Sequence, residues 1–118
     1  MKAEELMIGD WVRVPSELNR YKMIRSTFDM DSAPLYRPIP LTVEILESNG
    51  FEKKGHRYGI YDDYFDFEMY EYNDGTWLVS YHCCEMSLPD EQVMLFHVHQ
   101  LQHFMRHCGI EKVLKLEP

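Results

Sequence analysis

Three histidines punctuate the segment Val98-His-Gln-Leu-Gln-His-Phe-Met-Arg-His-Cys108. His99, His103 and His107 stand at i, i+4 and i+8, a spacing that stacks side chains in an axial row on a helix. Neighbouring imidazoles one turn apart can share a zinc or nickel ion. The outer pair spans about 12 Å of helix axis. One ion would therefore use His99/His103 or His103/His107 and take its other ligands elsewhere. Zinc hydrolysis of the His-Glu-x-x-His kind needs a general base directly after the first histidine. Gln100 stands there and cannot take a proton. The apolar residues Val98, Leu101, Phe104, Met105 and Cys108 gather on the opposite face. The expectation is a helix over 98–108, docked by its apolar face, with the histidines as a solvent-facing polar stripe. Metal binding is the alternative, zinc its cofactor, and no residue is assigned a catalytic role.

The acidic run Asp62-Asp-Tyr-Phe-Asp-Phe-Glu68 is the second candidate. Asp62, Asp63 and Asp66 could offer oxygen ligands to calcium or magnesium, but the run lacks the spacing and the closing glutamate of an EF-hand. A solvated acidic face accounts for it. Together with Tyr64, Tyr70 and Tyr72, the carboxylates of Asp66 and Glu68 suit contact with a protein partner. Ser80, His82 and the adjacent Cys83 and Cys84 have no third member to complete a nucleophilic arrangement. Three cysteines at these spacings form no disulfide framework, and buried reduced thiols are expected.

The elements that must hold these groups follow from pattern. Phe65–Tyr72 and Thr76–Cys84 alternate, and Asn73-Asp74-Gly75 suits a hairpin loop. The expected register pairs Tyr72 with Thr76, Glu71 with Trp77, Met69 with Val79, Phe67 with Tyr81 and Phe65 with Cys83. That leaves one face apolar and puts Asp66, Glu68, Tyr70, Tyr72, Leu78, Ser80 and His82 on the other. Thr42 is an N-cap for a short helix over 43–48, with Val43 and Leu46 on one side, and Asn49-Gly50 ends it. Strands are expected at Trp11–Val14, Tyr21–Phe28, Arg57–Tyr61 and Val93–Phe96. Loops are expected at Asp29–Pro34, Lys53–Gly55 and Glu85–Gln92. Pro38 and Pro40 keep Ile39 at a sheet edge or outside the sheet. Ile110–Leu116 reads as an edge strand guarded by lysines. Gly9-Asp-Trp-Val12 followed by short strands is similar to the start of small SH3-like barrels. The sum is one α+β domain over residues 1–118, a small twisted antiparallel sheet or partial barrel with two short helices. Residues 1–40 are the segment that could form a small-barrel part.

Composition narrows function further. The 118 residues carry a net charge of −8, and residues 40–75 supply −6 of it. A general basic face for phosphate contact is absent, so direct nucleic-acid binding is disfavoured. The local basic grouping Arg20, Lys22 and Arg25 reads as solvated surface. No window nears the ~18 apolar residues of a membrane helix. The charged start Met1-Lys-Ala-Glu-Glu-Leu-Met7 lacks the core of a signal peptide. A cytoplasmic location is the expectation.

Two longer stretches carry a resemblance. Tyr36-Arg-Pro-Ile-Pro-Leu-Thr-Val-Glu-Ile-Leu-Glu-Ser-Asn-Gly-Phe-Glu-Lys53 is one, and Val98-His-Gln-Leu-Gln-His103 followed by Cys108-Gly-Ile110 is the other. With the Gly9-Asp-Trp-Val12 start, the chain resembles a family of small proteins encoded by bacterial genomes, prophages and other mobile elements. Residues 15–34 and 54–92 match only in general character. The resemblance implies a cytoplasmic accessory protein and brings no catalytic residues with it. Some members of that family carry glutamate where this chain has Gln100, so the difference argues against zinc hydrolysis as a shared function. The expectation is a non-enzymatic interaction module with an unidentified protein partner. The alternatives are a metal-binding protein using His99 and His103, and a nucleic-acid accessory protein or acidic mimic of nucleic acid. A homodimer through an edge strand is compatible with the sequence.

Overall fold

Met7–Asp10 form a tight turn in which Asp10 N–H donates to Met7 O at 3.0 Å and Gly9 takes a left-handed φ of 100°. A side chain there would be strained on the backbone, which is why glycine occupies the turn. The computed structural model describes residues 1–73, 75–83 and 91–116. Its backbone divides into two compact units, Met1–Pro40 with His97–Pro118, and Leu41–Phe96.

In the first unit the turn launches β1 (Trp11–Val14), which pairs antiparallel with β2 (Arg20–Met23). The second strand is shorter than its sequence pattern predicts. Ser26 Oγ accepts Asp29 N–H at 3.4 Å and Asp29 Oδ2 accepts Arg25 N–H at 2.8 Å. These local acceptors draw the backbone out of the ladder and into α1 (Thr27–Met30). The expected loop 29–34 therefore holds the end of a helix and the start of a 3-10 turn at Ala33–Leu35. Leu6, Val12, Val14, Ile24, Ala33 and Tyr36 bury together beneath the hairpin. Ile39 is fully buried outside the strands, beside an isolated bridge from Pro40 to His97.

The helix α3 (Val98–His107) closes this unit. His97 and Gln100 form a reciprocal capping box, with Gln100 Oε1 accepting His97 N–H at 3.1 Å. Gly109, at φ 76°, ends it. Ile110–Leu116 does not form the expected edge strand. It runs on outside any strand, with Ile110 and Leu114 buried and Leu114 O accepting the Trp11 indole N–H at 3.0 Å. Alternating Lys and Leu signals one covered side, and burial of Leu114 with the Trp11 tie met that need without a ladder.

In the second unit Thr42 Oγ1 accepts Ile45 N–H at 3.3 Å and caps α2 (Val43–Ser48). The helix buries Ile45 and Leu46 rather than Val43 and Leu46. Gly50 ends it at φ 80°, and Phe51 turns inward. A five-stranded antiparallel sheet follows, in the order β3 (Glu52–Lys54), β4 (Arg57–Tyr61), β5 (Phe65–Asn73), β6 (Thr76–Cys83), β7 (Glu91–Leu95). Lys53 and Lys54, expected in a loop, belong to β3 and pair with Tyr58 and Arg57. A three-residue hairpin arm has too few positions to show a period of two. The β5–β6 register matches the expected pairs from Phe65/Cys83 to Glu71/Trp77. It then shifts, because Asn73 rather than Tyr72 pairs with Thr76, so Tyr72 sits at a bulge. Cys84, the expected last residue of β6, and Glu85–Asp90 of the expected loop lie outside the described residues. Glu91 and Gln92 are already in β7.

Tyr58, Phe67, Met69, Trp77 and Val79 bury one face of this sheet. Each such side chain contributes about 1.5–3 kcal/mol of burial. The architecture is α+β. The two sheets are separate and neither closes into a barrel, among the described residues.

Candidate functional site

The histidine segment does not present a solvent-facing stripe. His99 is only 7% exposed, and its Nδ1 is buried without a hydrogen bond. His103 sets Nε2 at 2.7 Å from Asp10 Oδ2. His107 alone of the three is exposed, with its ring stacked on Phe104 at 6.1 Å. The rings of His97 and His99 stack at 5.9 Å, and His103 meets His99 edge-on at 5.7 Å.

The cause is a second docking face on α3, and it is polar. Gln102 bridges the Met7–Trp11 turn, accepting Trp11 N–H at 2.9 Å and donating to Gly9 O at 2.8 Å. Arg106 donates to Ile8 O at 3.0 Å and sets a guanidinium nitrogen 3.6 Å from Asp10 Oδ1. Asp10 is fully buried, and its Oδ2 also accepts Met7 N–H at 2.8 Å. A Cβ on Gly9 would come within 2.8 Å of the Arg106 guanidinium, a second reason for glycine there. Helical-wheel reasoning counts apolar residues and so reports one covered face. Gln102, His103 and Arg106 cover the other by hydrogen bonding. The i, i+1, i+4 spacing of these three polar residues was the available signal.

Gln100, at the place of a hydrolytic base, is occupied in capping the helix. No group of three His, Cys, Asp or Glu side chains is placed to hold a metal, among the described residues.

Burial holds the His99 imidazole below its ordinary range, while Asp10 pulls the other way; burial alone does the same to His97. Both histidines thus fold in their neutral form, and the unfolded chain takes up their protons first. Their contribution to stability is complete above the ordinary histidine pKa of about 6.5. It is lost as pH falls through the depressed folded values. Thermal midpoints taken from about pH 7 to about pH 5 should fall less steeply in His99→Leu than in the parent. Equal slopes would show that His99 is not the group responsible.

The outer face of the second unit's sheet gathers most of the expected contact residues. Register puts Asp66 opposite Tyr61 and His82, Glu68 opposite Gly59 and Ser80, and Tyr70 opposite Leu78, which in turn pairs with Met94. Arg57 donates to Glu68 Oε2 at 2.7 Å and stands 5.7 Å from the Tyr70 ring centre. Lys54 Nζ lies 3.7 Å over the Tyr61 ring. That ring lies across Gly59, where an added Cβ would fall 2.7 Å from its Cζ. The Tyr61 hydroxyl is buried without a hydrogen bond of good geometry. Burial first and the neighbouring Glu68 second push its phenol up to about 12.

Tyr64 and Tyr72 are exposed, but Tyr64 precedes β5 and Tyr72 is at the bulge, so neither shares this register. Asp62 and Asp63 are exposed, and Asp62 Oδ1 accepts Tyr64 N–H at 3.1 Å in a local turn. Lys54, Arg57, Tyr61 and Met94 were missed from sequence because the phase of β3, β4 and β7 relative to the hairpin is set by pairing alone. Cys83 and Cys108 form no disulfide among the described residues, and both are half-buried rather than buried. No protein-family model, curated protein or solved structure matches this chain. No helix among the described residues is long and apolar enough to cross a membrane.

Proposed function

We propose that the chain is a non-enzymatic protein-interaction module, an accessory protein of phage or mobile-element origin. It engages its partner through the outer face of the 52–95 sheet. The observation that carries this reading is the cross-strand row Tyr70–Leu78–Met94, with Arg57 set against Tyr70 and tied to Glu68. Apolar side chains aligned across three strands and rimmed by Lys54, Arg57, Asp66 and Glu68 have the anatomy of an interface, an apolar centre with a charged border. Rings already held by cations lose little freedom on binding. Tyrosine is a favoured anchor in such surfaces.

Tyr70→Ala and Tyr72→Ala are expected to leave the circular dichroism spectrum and unfolding midpoint close to the parent's. Each should also diminish co-purification of the partner from the native host. Tyr70→Ala should have the larger effect, weakening the reconstituted complex by more than about tenfold, as a central anchor does. Undiminished co-purification with both variants would overturn the reading.

A further inference from the structure

The first unit carries an open strand edge that the outer-face reading does not use. Arg13 and Arg37 exchange both of their backbone hydrogen bonds at 2.8 Å, and Trp11 N–H is taken by Gln102 Oε1 at 2.9 Å. Backbone groups in an antiparallel ladder point to alternate sides. Trp11 and Arg13 therefore turn away from β2, and their partners Met23 and Tyr21 turn away from β1. The flanking exchange, Ile24 N–H to Asp10 O at 2.8 Å and Gly9 N–H to Ile24 O at 2.7 Å, keeps the same phase. The N–H and C=O groups of Tyr21 and Met23 thus face outward, and no bond from another segment reaches them among the described residues.

Two further features flank that edge. A cleft of about 560 Å³ opens beside Met23, lined by Met105, Ile110, Val113 and Leu114. A recess of about 310 Å³ lies along the strand itself and includes Arg20, Lys22 and Arg25. These three cations stand within six residues of a chain whose net charge is −8. Arg20 is paired with Glu17 and Lys22 with Asp29, each at 3.1 Å, while the Arg25 guanidinium is in no ion pair among the described residues.

We infer that the edge of β2 is a docking site for an extended acidic peptide of a partner protein. The peptide adds a strand by bonding to Tyr21 and Met23, and main-chain pairing of this kind supplies affinity while side-chain pockets supply selectivity. One apolar side chain of the peptide fills the cleft beside Met23, and its carboxylates meet Arg20, Lys22 and Arg25. A second copy of this chain fits less well. Antiparallel pairing of two β2 edges would bring Arg20 and Lys22 of both copies together, and like charges across a ladder are unfavourable.

The test uses the full chain, labelled with nitrogen-15, and the blocked peptide Glu-Val-Glu-Leu-Glu-Val-Glu as probe. Binding should slow hydrogen exchange of the Tyr21 and Met23 amides. Replacing every glutamate by lysine, or N-methylating the central leucine, should abolish it. The surface variant Lys22→Glu/Arg25→Glu should bind at least about tenfold more weakly. Tyr70→Ala should bind the peptide like the parent, which separates this site from the outer face of the second unit. The inference is overturned if the Tyr21 and Met23 amides gain no protection. Equal binding of the lysine peptide, or self-association through β2 that excludes the acidic peptide, would overturn it as well.

Discussion

Asp10→Ala should lower the unfolding free energy by about 3–5 kcal/mol, the range for breaking a buried charged pair from one side. Asp10 is fully buried and serves Met7 N–H, His103 and Arg106 at once. Removing it strands the Met7 amide, deprives His103 of its partner and leaves Arg106 only its other contacts, Ile8 O among them. His103 and Arg106 keep about a third of their side chains in water, at 31% and 37% exposure. They can recover part of their hydration, which places the loss toward the lower end of the range. Asp10→Asn keeps an acceptor in the same space and should cost less. Urea denaturation measures both, with an unchanged m-value confirming that the comparison is of stability alone. A loss under about 1 kcal/mol for Asp10→Ala would mean that the polar clasp is not what fixes α3 to the Met7–Trp11 turn.

In the second unit the largest effect belongs to Trp77. Trp77→Ala should cost about 3–5 kcal/mol, the range for deleting a large aromatic from a core. The side chain is 1% exposed, packs edge-on against Tyr58 at 6.2 Å, and donates from its indole to Leu41 O at 3.3 Å. Trp77→Phe restores much of the packing and loses the donor, so its cost should be nearer about 1–3 kcal/mol. Leu78→Ala, one residue along and on the outer face, is half-buried and should cost less than either. Far-ultraviolet circular dichroism under urea gives the ranking, and amide exchange in β5 and β6 shows where stability is lost. If Leu78→Ala cost as much as Trp77→Ala, the assignment of the two sheet faces would be wrong.

Where local chemistry decides conformation, the sequence was sufficient. Thr42 and Asn49-Gly50 delimit α2 because a hydroxyl at the N-cap and a glycine at left-handed φ act on their own backbone. The β5–β6 register followed from alternation, since a slip by one would exchange Phe67, Met69, Trp77 and Val79 for Glu68, Tyr70, Leu78 and Ser80 in the core. It failed at Tyr72, where a bulge exchanges one pairing for another at little energetic difference. The strand predicted over Tyr21–Phe28 failed for a related reason. Ser26 and Asp29 offered the backbone a nearer partner than a neighbouring strand.

By itself, then, the sequence determined the α+β class, the caps of α2, the central hairpin and the apolar face of the 98–107 helix. Each of these rests on interactions between residues close in the chain or on a period they share. Tertiary structure alone decided what the polar residues of that helix do. His99 is buried, His103 clasps Asp10, and Gln102 bridges Gly9 and Trp11 across more than ninety residues of chain. Hydrogen bonds at that separation have no period and no local signature. Of the histidine row only His103 joined the polar clasp on folding, while His99 was buried and His107 stayed exposed.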